Sequence, residues 1–195
     1  MTAPLVLASA SPRRRALLAQ LGLPFEVVAS DVPETPRAGE GPEHFARRMA
    51  REKAAAVAER YRGRLILAAD TVVVLDDMLC GKPADRDDAR RMLRALSGRT
   101  HRVLTAVALI DAAGRFDDLL AESRVRFRAL TAAEIEAYLD SGEAFDKAGA
   151  YGLQGLARQF VADVHGSESN VIGLPIDEVA ALLRRHRAAQ ADTPA

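Results

Sequence analysis

The chain has 195 residues, of which 49% are hydrophobic, and its mean hydropathy is -0.06, so it suits one globular domain or two closely packed lobes. Lysine plus arginine and aspartate plus glutamate each total 27, no apolar run approaches the roughly 20 residues of a membrane span, and no secretion signal is recognisable. We therefore predict a cytoplasmic protein that binds neither nucleic acid nor membrane. Because Cys80 is the only cysteine and the four histidines are scattered, any metal must find oxygen ligands.

The first half of the chain alternates strand and helix patterns. Its predicted elements are a strand over residues 4–8, a helix that begins at Pro12 and stops before Gly22, a strand over residues 25–28, a long loop over residues 31–42, a helix over residues 43–61 and a strand over residues 64–75. Asp76 and Asp77 follow that strand as a turn. Loops as long as residues 31–42 are often functional.

The second half adds an antiparallel hairpin. Its predicted elements are a helix capped by Asp85 that ends at Leu96, strands over residues 103–110 and 119–127 joined by a turn at residues 112–114, a helix opened by the capping box of Thr131 and Glu134, a strand over residues 159–164, a loop over residues 170–175, a helix from Pro175, as its first residue, to about Arg187, and a frayed tail over residues 188–195. Because helices interleave with parallel and antiparallel strands, we predict an α/β fold of mixed α+β type, with residues 1–187 as a single two-lobed domain.

The first helix begins with an unusual concentration of positive charge. Ser11 is placed as its N-cap and Pro12 as its first residue, so Arg13 and Arg14 fall in the first turn. Each cation at that end is unfavourable by roughly 0.3–1 kcal/mol, because the helix N-terminus is itself positive. An anion would compensate, and backbone amides, serine hydroxyls and arginines together suit a phosphate. A basic, solvated helix end is the structural alternative.

Lys53 interrupts an apolar row. It shares a four-residue spacing with Phe45, Met49 and Val57, which otherwise form the buried stripe of a helix. Such a lysine either extends along its own stem to water or reaches a buried anion, such as a carboxylate or a phosphate. The spacing favours the two interpretations equally.

Asp70 stands within the β-prone run of residues 65–75. Aspartate is depleted in strands and costly to bury without a partner. It could mark a turn between two strands. The functional alternative is a carboxylate on a rigid element that binds a hard cation or activates water.

Residues 146–155 contain three glycines, one at every third position. Such glycines allow sharp turns or a close approach of the backbone to a ligand, although neither a dinucleotide fingerprint nor a P-loop is present. Gln154 adds an amide that could read the edge of a base, and Tyr151 adds a ring that could pack nearby. A plain surface loop is the competing interpretation.

Taken together, these segments resemble the Maf family of nucleoside triphosphate pyrophosphatases over nearly the whole chain. The resemblance rests on Ser9-Ala10-Ser11-Pro12-Arg13-Arg14, Arg51-Glu52-Lys53-Ala54, Ala69-Asp70-Thr71-Val72-Val73, Gly81-Lys82-Pro83, Ser97-Gly98-Arg99-Thr100-His101, the run of residues 146–155 and Asn170-Val171-Ile172-Gly173-Leu174-Pro175. It implies the inosine-triphosphatase-like architecture, a long mixed twisted sheet flanked by helices, with the nucleotide in a cleft between two lobes. It also implies a homodimer.

The resemblance also implies roles for individual residues. Asp70 matches the catalytic proton acceptor, and the phosphate-binding and catalytic cations correspond to Arg13, Arg14, Lys53 and Lys82. Ser9 belongs to the same substrate-binding segment. Glu34 takes the place of a second acid that, with Asp70, would hold Mg²⁺ or Mn²⁺. The specificity positions are Arg13, Thr71 and Gln154, and the residues present resemble the subgroup that acts on dTTP and UTP. The chain departs from many members at residues 166–169, where Glu168 replaces an aromatic side chain.

The expected reaction is attack of water on the α-phosphorus of dTTP or UTP, with release of pyrophosphate. Three alternatives are the same chemistry on modified or methylated nucleotides, a phosphatase that releases orthophosphate, and a non-catalytic nucleotide-binding regulator of cell division.

Overall fold

A computed structural model of the protein describes residues 5–191 of the chain. Within that range, strands of one mixed sheet alternate with helices. The strands are β1 (Leu5–Ala8), β2 (Phe25–Val28), β3 (Ile66–Leu75), β4 (Met78–Cys80), β5 (Thr100–Ile110), β6 (Phe116–Phe127) and β7 (Val161–His165). The helices are α1 (Pro12–Ala19), α2 (Pro42–Ala58), α3 (Arg86–Leu96), α4 (Ala132–Asp140), α5 (Glu168–Ile172) and α6 (Ile176–Ala191), with 3-10 turns at Ala148–Ala150 and Leu156–Phe160.

The sheet leaves part of one strand edge open. Its order is β2-β1-β3-β5-β6-β7, in which β1 runs parallel to β2 and β3 and the later pairs are antiparallel. On the edge of β3 away from β5, β1 pairs only with Ile66 and Leu67, and β4 pairs only with residues 73–75. Among the described strands, residues 68–72 therefore have a partner on one edge only. The open edge lies beside the carboxyl end of β1, from which the chain leaves toward β2.

Helices cover both faces of the sheet. The apolar row of α2 packs on one face, where Phe45, Met49 and Val57 are buried against β3 and β5, as the four-residue spacing predicts. Helices α1 and α6 pack on the opposite face beside Leu67 and Leu109. Helices α3 and α4 form a further core near the end of β3. No helix among the described residues has the length and apolar character that a membrane crossing requires.

The predicted helix starts are confirmed at three caps. The hydroxyl of Ser11 accepts a hydrogen bond from the backbone of α1, and Pro12 is the first residue of that helix. The carboxylate of Asp85 does the same for α3. Thr131 and Glu134 form the reciprocal capping box that opens α4. The local sequence therefore fixes where each helix begins, and with it which side chains face the core.

Two short elements differ from the predictions. The turn at Asp76 and Asp77 is present, but both residues have positive φ, 48° and 63°, and they join β3 to the unpredicted strand β4 in a two-residue hairpin. Three residues are too few to show a strand alternation. The predicted loop over residues 170–175 is also wrong in part, because its first three residues belong to the short helix α5, which Ser167 caps.

The C-terminal boundaries also shift. The predicted strand over residues 159–164 begins two residues later, because Leu156–Phe160 forms a 3-10 turn. The carbonyl of Pro175 accepts the first bond of α6 from the backbone of Val179, so Pro175 is the cap and not the first helical residue. Helix α6 continues to Ala191, and residues 192–195 of the predicted tail lie outside the described residues.

Candidate active site

A cleft of about 680 Å³ opens beside the free edge of β3. It lies where the chain order reverses on either side of β1, the position at which open α/β sheets bind ligands. Segments far apart in sequence line it, including the start of α1, the loop before α2, β3 and the turn after β4. The cleft brings together every predicted site residue: Ser9, Arg13, Arg14, Glu34, Lys53, Asp70, Thr71, Lys82 and Gln154.

Lys53 lies between two carboxylates. Its ammonium nitrogen donates to Oδ1 of Asp70 at 2.6 Å and to Oε1 of Glu34 at 2.5 Å. Both Lys53 and Asp70 are buried, with exposed fractions of 5% and 6%. Lys53 therefore reaches a buried anion instead of extending to water. Asp70 sits in the middle of β3, which excludes the turn interpretation.

Glu34 joins a second lysine to this cluster. Its Oε2 accepts a hydrogen bond of 2.6 Å from the half-exposed Lys82. Partial burial raises the pKa of Glu34, but hydrogen bonds from Lys53 and Lys82 outweigh burial and lower it to about 2. Glu34 is therefore ionised at neutral pH, and the cluster combines two ammonium groups with two carboxylates.

The carboxylates of Asp70 and Glu34 fit a divalent cation that also binds substrate. Both line the cleft, and Oδ2 of Asp70 makes no hydrogen bond with any described residue. The described residues contain no group of three or more acidic, histidine or cysteine side chains placed for a metal. Mg²⁺ is commonly held by one or two carboxylates, with phosphate oxygens and waters completing its shell. The donor set suits such an open site and not a closed protein cage.

The charge at the start of α1 is offset from across the cleft. Arg13 forms an ion pair with Asp146, with Nη1 3.3 Å from Oδ2. Asp146 also accepts a hydrogen bond of 2.5 Å from its neighbour Lys147. Ser9 is buried, and its hydroxyl accepts a hydrogen bond from the backbone of Ser11. The basic helix end is thus held in the cleft and is not merely solvated.

Arg14 is fixed by two different elements. Its Nε donates to the carbonyl of Gly173 at 2.8 Å, and its Nη2 donates to the hydroxyl of Thr71 at 3.1 Å. Its Nη1 has no hydrogen bond to a described residue and belongs to a side chain that lines the cleft. Burial lowers the pKa of Arg14 against the opposing charges of Asp70 and Glu34, yet a guanidinium stays protonated in proteins.

The glycine-rich run packs closely against the strand that carries Asp70. A Cβ added to Gly149 would lie 3.0 Å from a methyl carbon of Val73, and one added to Gly152 would lie 2.7 Å from the stem of Lys147. A Cβ added to Gly155 would collide with the carboxylate of Glu143, so close approach applies to all three glycines. Gln154 is exposed at the cleft and makes no hydrogen bond with a described residue. A plain surface loop is therefore excluded.

The sequence interpretation gave no role to Asp146 and Lys147, which line the cleft, or to His101, which contacts the cleft residue Tyr151. Asp146 and Lys147 belong to the quoted motif, but the partner of Asp146 is Arg13, 133 positions away, so the sequence alone offers no sign of it. His101 also lies in a quoted motif. Its Nε2 is 2.7 Å from the hydroxyl of the cleft residue Tyr151, and both side chains are buried. In the sequence, the one sign that this pair could matter is that both residues lie within the motifs that carry the family resemblance.

Solved structures first define the class of fold. The protein is similar to a HAM1 protein from Coxiella burnetii, with a TM-score of 0.52 and 17% identity over 93% of this chain and 98% of that chain. It is also similar to the Ham1 protein of Staphylococcus aureus, with a TM-score of 0.50 and 12% identity over 93% and 98%. These likenesses concern the fold alone and confirm the predicted inosine-triphosphatase-like architecture.

Sequence relatives then identify the family. Residues 4–186 match the family described as Maf-like protein, and the chain belongs to that family. A Myxococcus xanthus protein named dTTP/UTP pyrophosphatase is 56% identical over 182 residues, covering 93% of this chain and 91% of the relative. A Nitratidesulfovibrio vulgaris protein of the same name is 47% identical, covering 98% and 91%. The recognition made from the motifs is confirmed, whereas the roles of the individual site residues stay predictions.

Proposed function

We propose that this protein hydrolyses dTTP and UTP to the nucleoside monophosphate and pyrophosphate. The name shared by its relatives supports these substrates. The single observation that carries the proposal is the convergence of Arg14, Lys53 and Lys82 around Asp70 in one cleft, from segments distant in sequence. Clustered cations beside one carboxylate suit a reaction in which a polyphosphate is bound and charge develops on the leaving group.

Asp70 acts on water in the proposed reaction. Its Oδ1 is held by Lys53, which leaves Oδ2 to accept a proton from a water molecule in the cleft. The water oxygen forms a bond to the α-phosphorus as the bond from that phosphorus to the bridging oxygen breaks. Pyrophosphate leaves with its charge neutralised by Arg13, Arg14 and Lys82, because electrostatic stabilisation dominates such reactions.

A divalent cation, Mg²⁺ or Mn²⁺, forms part of the proposal. Asp70 and Glu34 would hold it, since hard cations prefer carboxylate oxygens. When bound, it would supply positive charge to phosphate oxygens. Coordination of the cation by Glu34 would weaken its hydrogen bonds to Lys53 and Lys82, which the phosphates would then engage.

We assign base recognition to Gln154, with Thr71 and Arg13 as further specificity positions that line the same cleft. An amide both donates and accepts hydrogen bonds, as the edge of a pyrimidine requires, and that of Gln154 is exposed in the cleft. We expect Gln154→Glu to lower kcat/KM for dTTP and UTP about tenfold or more, because one donor is replaced by a charged acceptor. Steady-state kinetics measure this effect. Unchanged rates with both nucleotides would remove Gln154 from the recognition site.

The product decides between this function and its alternatives. Normal and methylated nucleoside triphosphates are incubated with the protein and Mg²⁺ or Mn²⁺, with EDTA as the control, and the products are separated by chromatography. Monophosphate and pyrophosphate from dTTP and UTP, abolished by EDTA, are expected. Orthophosphate would indicate a phosphatase, and the absence of any product would indicate a nucleotide-binding regulator. Turnover only of methylated nucleotides would reassign the substrate.

Two further proposals concern the protein in solution. The homodimer implied by the resemblance predicts twice the mass of the chain in light scattering after size exclusion. The cytoplasmic location follows from the proposed substrates, because nucleoside triphosphates are cytoplasmic metabolites. Cell fractionation tests it.

A further inference from the structure

Thr105 carries a hydroxyl group in the fully buried middle of β5. It lies directly opposite Thr71 of β3 in the antiparallel register, and its exposed fraction is 0%. A buried hydroxyl without partners would be costly, and this one has two. Its oxygen is 2.9 Å from the hydroxyl of Thr71 and 2.9 Å from the carbonyl of Asn170. Thr105 therefore connects β3 to helix α5.

The direction of each hydrogen bond follows from the available protons. The carbonyl of Asn170 can only accept, so Thr105 donates to it. Thr71 must then donate to Thr105, because two hydroxyl oxygens at 2.9 Å with no hydrogen between them would repel. Its other contact, with the carbonyl of Gly173, is longer at 3.5 Å. The oxygen of Thr71 is consequently an acceptor toward Arg14, whose Nη2 lies 3.1 Å away.

The far end of this chain of hydrogen bonds is firmly anchored. Asn170 is fully buried, and its side-chain amide donates to the carbonyl of Val103 at 3.1 Å and to the hydroxyl of Ser123 at 2.9 Å. The near end is the guanidinium of Arg14, which is also held through Nε by Gly173. With Nε and Nη2 fixed, the remaining edge of the guanidinium has one orientation in the cleft.

We propose that Thr105 is a positioning residue, which acts through Thr71 to orient Arg14 toward the phosphates of the substrate. This role rests on the proposed function, since it assigns Arg14 to the triphosphate. Thr105 itself touches no substrate. When Thr105 lacks its hydroxyl, Thr71 is free to donate its proton to the carbonyl of Gly173. Thr71 then competes with Arg14 for that carbonyl.

The first test removes the hydroxyl while keeping the shape of the side chain. Thr105→Val should raise KM for dTTP about tenfold, the effect of one hydrogen bond to a charged group, and should also lower kcat, because Arg14 neutralises charge that develops on the leaving pyrophosphate. Thr105→Ser keeps the hydroxyl and should restore KM to within about twofold. Thr105→Ala serves as a second variant if the valine protein does not fold. An unchanged KM in a folded Thr105→Val or Thr105→Ala protein overturns the proposal.

A double-mutant cycle separates positioning from general loosening. Binding of inorganic triphosphate is measured by calorimetry, which needs neither a base nor hydrolysis. Thr105→Val should weaken binding about tenfold in the parent and less than twofold in an Arg14→Ala background, because its effect passes through Arg14. Equal weakening in both backgrounds overturns the proposal. If the parent binds triphosphate but releases no pyrophosphate from dTTP or UTP, the proposed substrates fail while the cycle still tests Thr105.

Ser123→Ala is the matched control. It removes a buried hydroxyl that binds the same segment, through Asn170 and Ser167, but leaves the hydroxyls of Thr71 and Thr105 in place. We expect a lower Tm with KM within about twofold of the parent. A KM as high as that of Thr105→Val would show that a loosened α5 explains both variants, which overturns the proposal.

Discussion

Asp70 and Lys53 form the buried ion pair around which the cleft is organised. Removing one partner of such a pair lowers stability far more than replacing both partners by apolar residues, because the remaining charge is left buried and uncompensated. The two residues nevertheless differ in what their loss should do. Lys53 retains Glu34 when Asp70 is neutralised, whereas Asp70 has no second cation within hydrogen-bonding distance among the described residues.

Asp70→Asn should abolish turnover and leave the protein folded. The amide cannot accept a proton from water, and loss of one such group typically lowers the rate about 10²–10³-fold. Lys53 still has Glu34 as its counter-ion. Pyrophosphate release and circular dichroism measure the two outcomes. Release at the parent's rate would refute the role of Asp70.

Lys53→Met should damage stability as well as activity. Asp70 would be left buried without a cation, and we expect the free energy of unfolding to fall by about 3 kcal/mol at neutral pH. Urea denaturation measures it. Lys82→Met is the matched control, because Lys82 is half-exposed and Glu34 is its one ion-pair partner among the described residues. It should impair activity but change stability by less than about 1 kcal/mol. Equal destabilisation by both variants would argue against a buried pair.

At the scale of elements, the run of residues 146–155 depends on its glycines to reach the cleft. Gly149 has a φ of 68°, and its backbone donates to the carbonyl of Gly81, next to Lys82. Its close contact with Val73 sets this run against β3. The position of Gln154 therefore follows from a backbone that other residues cannot adopt without strain.

Gly149→Ala should be more harmful than an alanine at another left-handed glycine. The backbone conformation costs about 1 kcal/mol, and overpacking against Val73 adds about 1–3 kcal/mol. Gly142→Ala is the control, because Gly142 has a φ of 78° but nothing lies within 4 Å of an added Cβ. Thermal unfolding and kcat/KM are compared. Equal effects of the two variants would show that the contact with Val73 is unimportant.

Elements with strong local signals were predictable from sequence, and elements defined by distant partners were not. The caps at Ser11, Asp85 and Thr131 announce their helices through side chains that bond to the adjacent backbone. Strand β4 and helix α5 are too short for any periodicity to appear, and β4 exists only because β3 offers an edge. The same distinction holds in the site, where spacing left Lys53 undecided until its carboxylates were located.

At the scale of the whole molecule, a buried histidine makes stability depend on pH. Burial lowers the pKa of His101 from 6.5 to about 4, and it lies among the rings of Phe127 and Tyr151. Between these two values the unfolded chain binds a proton that the folded protein does not. The free energy of unfolding therefore falls as pH decreases from 6.5 toward 4 and is unaffected by His101 above that window.

His101→Phe should reduce this acid sensitivity. Between pH 7 and pH 5 the parent should lose up to about 2 kcal/mol through His101, and the variant should lose correspondingly less. Urea denaturation at several pH values measures the slope. His165→Gln, at an exposed position, is the control and should keep the parent's slope. Identical slopes for His101→Phe and the parent would show that His101 does not titrate in this window.

The carboxylate of Glu34 bridges Lys53 and Lys82, and this bridge bears on how the cleft selects an anion. The two ammonium groups would otherwise repel each other, and the carboxylate of Glu34 holds them in place as a counter-ion. If the proposed function holds, a polyphosphate would bind by ion exchange, with its oxygens replacing the Glu34 carboxylate as partners of ammonium groups that are already in place. A singly phosphorylated metabolite offers fewer charges for that exchange, and we therefore expect the cleft to bind a nucleoside triphosphate in preference to a nucleoside monophosphate.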